Sequence, residues 1–244
     1  SVSRELREAT QAQRQQLRAG HEAAAALCLK LGVQNCKELR QAKEIEWQNK
    51  GLTAADLALL GTLGSVLPAL EELALCEPTA GPDGVQRLAE RLGAGALPAL
   101  TVFATIMHAG DAGASALAAA LGRGALPRLK TLYLNRTAIG DAGLVALAPA
   151  LRRLPALETL ILEDNPFGDE GLAALVAPLP PPPAGALPPP TGVLTKLKAI
   201  NLNSTQITDA GCAALAAALD GAVLPALKDL ILCDIPVSDA ARDA

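Results

Sequence analysis

Few side chains in this sequence could carry out catalysis. A nucleophilic triad needs a histidine beside a serine or a cysteine, and the chain has two histidines, His21 and His108. We expect His21 to lie in the N-terminal helices. We expect His108 to take the ninth place of an irregular repeat unit, where asparagine or threonine normally satisfies backbone groups, so that each histidine has a structural role. The sequence contains no H-E-x-x-H metal motif, no dinucleotide fingerprint after a strand and no EF-hand loop. It therefore predicts that the protein is not an enzyme, with no catalytic residue, cofactor, metal site or small-molecule substrate.

The five cysteines do not form a recognisable site either. They include no C-x-x-C pair and are odd in number, so neither a disulfide framework nor a zinc site is indicated. We expect reduced, mostly buried thiols in a reducing compartment. These cysteines are Cys28, Cys36, Cys76, Cys212 and Cys233.

Composition and charge narrow the class of partner. The formal net charge is −4, and the basic residues are scattered, whereas nucleic-acid binding needs them clustered on one face. No apolar run approaches the roughly 18 residues that cross a bilayer, and the first residues do not resemble a secretory leader. We therefore expect a cytoplasmic protein that binds neither nucleic acid nor membrane. Because the hydrophobic fraction is 50% but the aromatic fraction only 2%, aliphatic side chains must fill the core, which favours a thin, layered repeat.

The elements that position these residues recur along the chain. A leucine opens each of six units, and the apolar residues of a unit take its first, fourth, sixth and eleventh places. The fourth and sixth places are two apart, so they lie on one face of a short strand, whereas Leu144, Leu147 and Leu151 follow the spacing of a helix. One strand and one helix per unit predict an α/β solenoid with parallel inner strands and outer helices. The opening leucines are Leu70, Leu100, Leu129, Leu157, Leu197 and Leu227.

Polar residues also recur at fixed places. Threonine or asparagine takes the ninth place of three units, at Thr137, Asn165 and Thr205. An aspartate opens the helical part of the same units, where its oxygen can accept hydrogen bonds from free amides in the helix's first turn. These residues, which we interpret as helix starts and not as catalytic acids, are Asp141, Asp169 and Asp209.

This pattern resembles the leucine-rich repeat, L-x-x-L-x-L-x-x-N/C-x-L, over about residues 43 to 244. The period near 29 and the segments "GDAGLVALAPAL", "GDEGLAALVAPL" and "TDAGCAALAAAL" are similar to the ribonuclease-inhibitor type. Upstream, Ile45, Trp47 and Leu52 fit the fourth, sixth and eleventh places of a degenerate first unit. In the unit of Leu100, Thr105 and Gly110 take the sixth and eleventh places, so we expect its strand to be distorted.

Two segments fall outside the repeat. In residues 1–42, the segments "SRELREATQAQRQQLRAG" and "HEAAAALCLKLG" predict two helices that meet near Gly20. They form either a cap on the solenoid at 43–244 or the tail of an upstream region of a longer protein. The sequence "APLPPPPAGALPPPTG" at 177–192 lengthens one unit by about ten residues and predicts an extruded loop with polyproline II character at 178–191. This loop is either a tolerated insertion or a ligand, at 178–190, for a polyproline-reading domain.

The concave strand face is the predicted binding surface. Residues at the third, fifth and seventh places point away from the core, and tyrosine and arginine are enriched at interface hot spots. We predict that a protein partner contacts this face and its rim through Glu72, Ile106, Tyr133, Asn135, Arg136, Ile161, Glu163, Asp164, Asn201, Asn203, Asp229 and Ile231.

The resemblance implies a non-enzymatic module that binds a macromolecular partner on its concave face. Two alternatives stay open. Activators of Ran-type small GTPases are built from similar repeats, and in such a protein Arg136 would stabilise charge during hydrolysis. In the other alternative, the solenoid is a scaffold that displays the proline-rich loop.

Overall fold

The computed structural model describes residues 2–177, 194–221 and 223–238. Within these ranges, seven parallel strands form one sheet in chain order. They are β1 (Glu44–Gln48), β2 (Glu72–Cys76), β3 (Val102–Thr105), β4 (Thr131–Tyr133), β5 (Thr159–Ile161), β6 (Ala199–Asn201) and β7 (Asp229–Ile231). The helices are α1 (Val2–Leu31), α2 (Cys36–Gln41), α3 (Ala54–Leu63), α4 (Gly84–Arg91), α5 (Gly110–Gly122), α6 (Asp141–Leu151), α7 (Asp169–Val176) and α8 (Asp209–Asp220). Two 3-10 turns follow α3 and β2, at Gly64–Val66 and Pro78–Ala80.

The apolar places set the register of the sheet. Ile45 pairs with Leu73 and Trp47 with Leu75, so the degenerate first unit is confirmed, with its Leu52 fully buried. The strands pair without a shift along the whole sheet. The apolar side chains of the helices pack against one face of the sheet, in the same apolar core. The predicted α/β solenoid of parallel strands and alternating helices is therefore confirmed.

The aspartates that open the helices join each unit to the next one. Asp141 Oδ1 accepts hydrogen bonds from the Gly168 amide at 2.9 Å and from the Gly171 amide at 2.7 Å, both at the start of α7. Asp169 Oδ1 accepts one from the Thr208 amide before α8, at 2.8 Å. As predicted, the aspartates accept hydrogen bonds from free amides at a helix start. The prediction that these amides belong to the aspartate's own helix is wrong. Each carboxylate instead accepts from the start of the following helix, because parallel stacking places its side chain beside the free amides of that helix.

Two of these carboxylates are held in the charged form. The hydroxyl and amide of Thr208 donate to Asp169 and lower the pKa of its carboxyl. Ser238 lowers the pKa of Asp209 in the same way. Hydrogen bonds donated to a carboxylate favour its ionised form. Asp141, Asp169 and Asp209 thus form a ladder in which each aspartate bonds to the next unit. We call this series the aspartate ladder.

The ninth-place residues form a second, buried ladder. Asn165 donates from Nδ2 to the Leu134 and Leu162 carbonyls, at 2.7 and 2.8 Å, and accepts from the Ile139 amide at 2.9 Å. The Thr137 hydroxyl lies 2.7 Å from the Leu134 carbonyl, to which it donates. The predicted structural role of these places is confirmed, since buried polar groups need such partners.

The unit of Leu100 differs in its loop and not in its strand. β3 pairs in register with β2 and β4, but the loop is one residue shorter than in later units. Ala109 packs against Gly113 as Ile139 packs against Gly143, and Met107 is buried while His108 is exposed. The expected strand distortion is therefore wrong, and so is the expected role of His108 in satisfying backbone groups, because the deletion moves His108 to the outside.

The N-terminal segment is one long helix and one short one. α1 runs without a break through Gly20, so the predicted division into two helices within residues 2–31 is wrong. A single glycine costs a helix about 1 kcal/mol and does not end it. Leu27, Leu31 and Leu39 join the apolar core. The role of this segment as a cap stays a prediction, and the proline-rich loop at 178–191 lies outside the described residues.

Two other expectations about burial need correction. Leu230, predicted to point into the core, is 38% exposed, because no described unit stacks on β7. The thiols are less buried than expected: Cys28 is buried, whereas Cys36, Cys76 and Cys212 are half-buried and Cys233 is exposed. None of the described helices combines the length and apolar character needed to cross a membrane.

Candidate functional site: the open face of the sheet

The sheet has one face covered by helices and one that is open. In the first six units, fourth- and sixth-place side chains are buried against the helices, whereas third- and fifth-place side chains are exposed or half-buried. Parallel sheets are usually covered on both faces. We call the uncovered surface, formed by the third, fifth and seventh places of the seven units, the open face. It is the predicted concave face.

Apolar side chains are exposed on the open face. Ile106 is 48% exposed, Tyr133 37% and Ile231 46%. The strand register places Tyr133, Ile161, Asn201 and Ile231 side by side in one row across β4 to β7. Such a row gives a partner a continuous surface on which apolar and amide groups alternate.

The seventh-place residues form a neighbouring, more polar row. Asn201 donates from Nδ2 to Glu163 Oε2 at 3.0 Å, and its own oxygen accepts from the Asn203 amide at 2.9 Å. Asn203 Oδ1 in turn accepts from the Cys233 amide at 3.0 Å. These contacts fix the side-chain orientations of three predicted binding residues before any partner arrives, which lowers the entropy cost of binding.

Arg136 and Asp164 lie on the rim, each in the turn after its strand. Their backbone φ angles are 58° and 55°, a left-handed conformation that non-glycine residues adopt rarely. Arg136 Nε donates to Asp164 Oδ2 at 2.8 Å, and this bond raises the pKa of the guanidinium. This bond uses one of the five N–H donors of the guanidinium and holds Arg136 beside Asp164 on the rim.

The first three strands contribute a shallow apolar depression that sequence analysis did not include. It has a volume of about 120 Å³ and is bordered by Glu46, Gln48, Cys76 and Ile106, with Ala74 and Ala104 among its lining residues. Small alanines make the depression because their neighbours in the same row are larger. The alternation of Glu46 and Gln48 with the buried Trp47 is the sequence signal that places these two side chains on the open face.

The remaining predicted residues lie further along the same surface. Glu72 and Asp229 belong to the third-place row, near opposite ends of the sheet, and both are exposed. Asn135 is half-buried beside Tyr133. The structure therefore places the predicted residues on one face and its rim, but spreads them over six strands instead of gathering them into one pocket.

Charge on the open face has one sign. Among the third, fifth and seventh places of the seven units, none holds lysine or arginine, and five hold carboxylates: Glu44, Glu46, Glu72, Glu163 and Asp229. Three of the five lie on β1 and β2, next to the depression. Across the described residues, no group of three histidine, cysteine or carboxylate side chains is arranged to hold a metal ion.

Comparison with known proteins agrees with this architecture. Residues 126–148, 154–176 and 193–216 match the family profile described as leucine-rich repeat. The fold is a leucine-rich-repeat solenoid. Proteins with such repeats generally mediate protein–protein interaction. No curated protein sequence matches the chain.

Among solved structures, the chain is similar to an internalin from Listeria monocytogenes. The sequence identity is 17%, the match covers 90% of this chain and 69% of that chain, and the TM-score is 0.33. At that TM-score, the similarity adds nothing to the evidence from the strands, the helices and the repeat profile.

Proposed function

We propose that this leucine-rich-repeat chain is a non-enzymatic module that binds a protein partner on its open face. The observation that supports the proposal is a sheet with one uncovered face on which Ile106, Tyr133 and Ile231 are 37–48% exposed. Exposed apolar residues within a polar surround are typical of interaction sites. Tyr133 is the expected hot spot because it offers a large, rigid contact area near the centre of the sheet.

The charge of the open face indicates the chemistry of that partner. Five carboxylates and no basic residue on the open face favour a partner surface with lysine or arginine around an apolar side chain. Complementary charges raise the association rate, and added salt screens this effect beyond about 10 Å at 0.1 M. We therefore expect capture of the partner to weaken as salt is raised.

We also infer that the repeats are of the ribonuclease-inhibitor type. The support is a full helix after most strands, from eight residues in α7 to thirteen in α5, together with the period near 29 of the sequence. A polyproline-displaying scaffold remains the second candidate function, since the sequence at 178–190 favours a polyproline II ligand.

The test is affinity capture from a lysate of the source cells, with four baits. The native chain is compared with Tyr133→Ala/Glu163→Lys on the open face and with Val145→Ala/Glu170→Lys on the helix face, where Val145 is 38% exposed and Glu170 is exposed. The fourth bait lacks residues 178–190. Each bait is first shown to unfold at the same urea concentration as the native chain.

The proposal expects a protein that the first variant loses and the helix-face variant keeps. The same captured proteins with both variants would contradict the role of the open face. A protein lost only with the deletion would assign recognition to the proline-rich loop instead.

A further inference from the structure

Two thiols meet where the chain reverses between α1 and α2. Cys28 lies in the last turn of α1 and Cys36 is the first residue of α2. Their Sγ atoms are 3.6 Å apart. Cys28 is 2% exposed, whereas Cys36 is half-buried. Nothing in the function proposed above uses either thiol.

The reversal is built by a helix stop that the sequence specifies. Gly32 has a φ of +71°, and its amide donates to the Leu29 carbonyl at 3.2 Å. The Val33 amide donates to the Cys28 carbonyl at 3.0 Å. This pair of bonds is the Schellman pattern, in which a left-handed glycine turns the chain back across the end of its own helix. The carbonyl of Cys28 is thus one of the groups that the turn fixes.

The second half of the reversal is fixed by a helix start. Asn35 Oδ1 accepts hydrogen bonds from the Lys37 and Glu38 amides, each at 3.0 Å. Glu38 reaches back, and its Oε2 accepts from the Gln34 amide at 2.8 Å. Because both ends of the short loop are held, the two thiols stay opposite each other.

We propose that Cys28 and Cys36 form an oxidisable dithiol, which a small-molecule disulfide such as oxidised glutathione converts into an intramolecular disulfide. A disulfide bond is about 2.05 Å long, so the sulfur atoms must approach by about 1.5 Å from the contact that the structure shows. Rotation of the more exposed Cys36 side chain provides most of this movement.

The reaction follows ordinary thiol–disulfide exchange. The Cys36 thiolate attacks one sulfur of the oxidant, an S–S bond forms, and the first glutathione leaves as a thiolate. The Cys28 sulfur, after losing its proton to water, then attacks the sulfur of Cys36 and releases the second glutathione. The protein loses two electrons and two protons, and one molecule of oxidised glutathione becomes two of the reduced form.

The two thiols have different roles in this sequence of steps. Burial, followed by the hydrogen bond to Cys36, raises the pKa of the Cys28 thiol to about 11. A buried, protonated thiol reacts poorly with an oxidant in solution. Cys36 is therefore the residue that meets the oxidant, and Cys28 the residue that completes the bond.

The Cys28–Cys36 disulfide would link two helices covalently, and both helices contribute to the apolar core. Leu27 and Leu31 of α1 and Leu39 of α2 are all buried, in the same cluster as Ile45 and Trp47 of β1. The disulfide would fix the end of α1 against the first unit of the solenoid, beside the ion pair of Lys30 and Asp56 at 2.7 Å.

The test uses the full chain with Cys76, Cys212 and Cys233 replaced by serine, so that only the pair remains. The reduced protein is incubated with oxidised glutathione at about pH 8, near the ordinary pKa of a thiol, then alkylated and weighed by mass spectrometry. We expect a monomer that is lighter by two hydrogen atoms, carries no alkyl group and no glutathione, and returns to the dithiol with dithiothreitol.

Two controls separate the geometry from ordinary cysteine reactivity. A matched variant keeps Cys28 and Cys212, one buried and one half-buried thiol, with the other three replaced by serine, and it should remain open and carry alkyl groups or glutathione. The pair variant unfolded in guanidinium should close at least about tenfold less readily than the folded one, because the fold supplies a high effective concentration.

A folded pair variant that stays alkylated, stops at a mixed disulfide or forms a covalent dimer would overturn the proposal. Equal closure in guanidinium would do so as well. Peptide mapping of the oxidised native chain, with all five cysteines, gives the same answer without any substitution: the expected product is a Cys28–Cys36 linked peptide.

Discussion

The units before Leu129 and those from Leu129 onwards build the same sheet with different buried polar groups. In the later units, Asn165 and Thr137 bond across the stacked turns. An aspartate at a helix start reaches the next unit from Asp111 of the Leu100 unit onwards. The side chains buried inside these turns, Asn165 and Thr137, carry an amide and a hydroxyl. The carboxylates lie at the outer edge of the turns.

The buried polar groups of the units before Leu129 are different. Glu77 is fully buried, and its carboxylate accepts from the amides of Lys50, Gly51 and Leu52 at 2.7, 3.0 and 3.2 Å. In the next unit, the buried hydroxyl of Thr105 has no hydrogen-bond partner. One early turn is therefore held by the oxygens of a buried glutamate side chain, and one strand carries an unsatisfied polar group.

This difference shows which part of the repeat sets the fold. The apolar places determine the register in both regions, and the register is kept even where Thr105 takes a sixth place. The polar places vary more from unit to unit. The leucine-rich-repeat profile matches only 126–148, 154–176 and 193–216, the region in which the polar places are regular. Strands can thus stack outside the recognisable repeat.

The largest effect is expected in the later region, at Asn165. Asn165→Ala leaves the Leu134 and Leu162 carbonyls and the Ile139 amide buried without these partners, and we expect a loss of about 3–4 kcal/mol in the free energy of unfolding. Urea unfolding with hydrogen exchange at the Ile139 amide measures it. Exposed Gln206→Ala is the control, with a change within about 0.5 kcal/mol; an equal loss in both variants would contradict a buried ladder.

A smaller loss is expected at Glu77, the counterpart in the earlier region. Glu77→Ala removes the acceptor of three amides, but Lys50 and Gly51 are exposed and can bond to water, so we expect about 2–3 kcal/mol. Glu77→Gln keeps one acceptor oxygen and should lose less. Exposed Glu90→Ala serves as the control. The measurement is urea unfolding together with hydrogen exchange at the Leu52 amide. Faster exchange of this amide in Glu77→Ala would assign the effect to this turn. Unchanged exchange would contradict the role of Glu77 in holding the turn.

Much of this fold could be predicted from spacing alone, because spacing fixes which face a residue takes. The spacing of Ile45, Trp47 and Leu52 predicts the degenerate first unit, and all three are buried in it. The open-face rows follow from the same alternation. Spacing does not say which neighbouring unit receives a hydrogen bond, so the reach of Asp141 into the next helix was missed.

The other errors also have physical causes. The one-residue deletion that exposes His108 lies after its strand and leaves the strand's register unchanged. A single glycine such as Gly20 weakens a helix by about 1 kcal/mol but does not end it. Spacing also carries no information on end effects, such as the 38% exposure of Leu230. The contact of Cys28 with Cys36 depends on a left-handed turn at Gly32 that links two short elements, and no repeat indicates it.

A double-mutant cycle tests the aspartate ladder of the later region. A methyl group at Gly171 would lie 2.9 Å from Asp141 Oδ1, so Gly171→Ala should lose about 1–2 kcal/mol. Asp141→Ala should lose about 1–2 kcal/mol through its two amide partners. The double variant should lose about 1 kcal/mol less than the sum, because the obstructing carboxylate is gone.

The matched control for this cycle is Gly122→Ala, where nothing lies within 4 Å of the added methyl group and helix propensity should raise stability slightly. In the earlier region the corresponding Gly84 faces Ala80 and Leu57 instead of a carboxylate. Strict additivity of Asp141→Ala and Gly171→Ala would mean that the carboxylate does not occupy the space beside Gly171.

The smallest change should have opposite signs in the two regions. Thr105→Val removes a buried hydroxyl that has no partner and keeps the side-chain shape, so we expect a gain of about 1 kcal/mol. Thr137→Val removes a hydroxyl that is 2.7 Å from the Leu134 carbonyl and should lose about 1 kcal/mol. Urea unfolding of both variants in one buffer compares the same chemical change at two buried places. If Thr105→Val lost as much stability as Thr137→Val, both threonine hydroxyls would be held by hydrogen bonds. Glu77 would then be the remaining difference between the buried polar groups of the two regions.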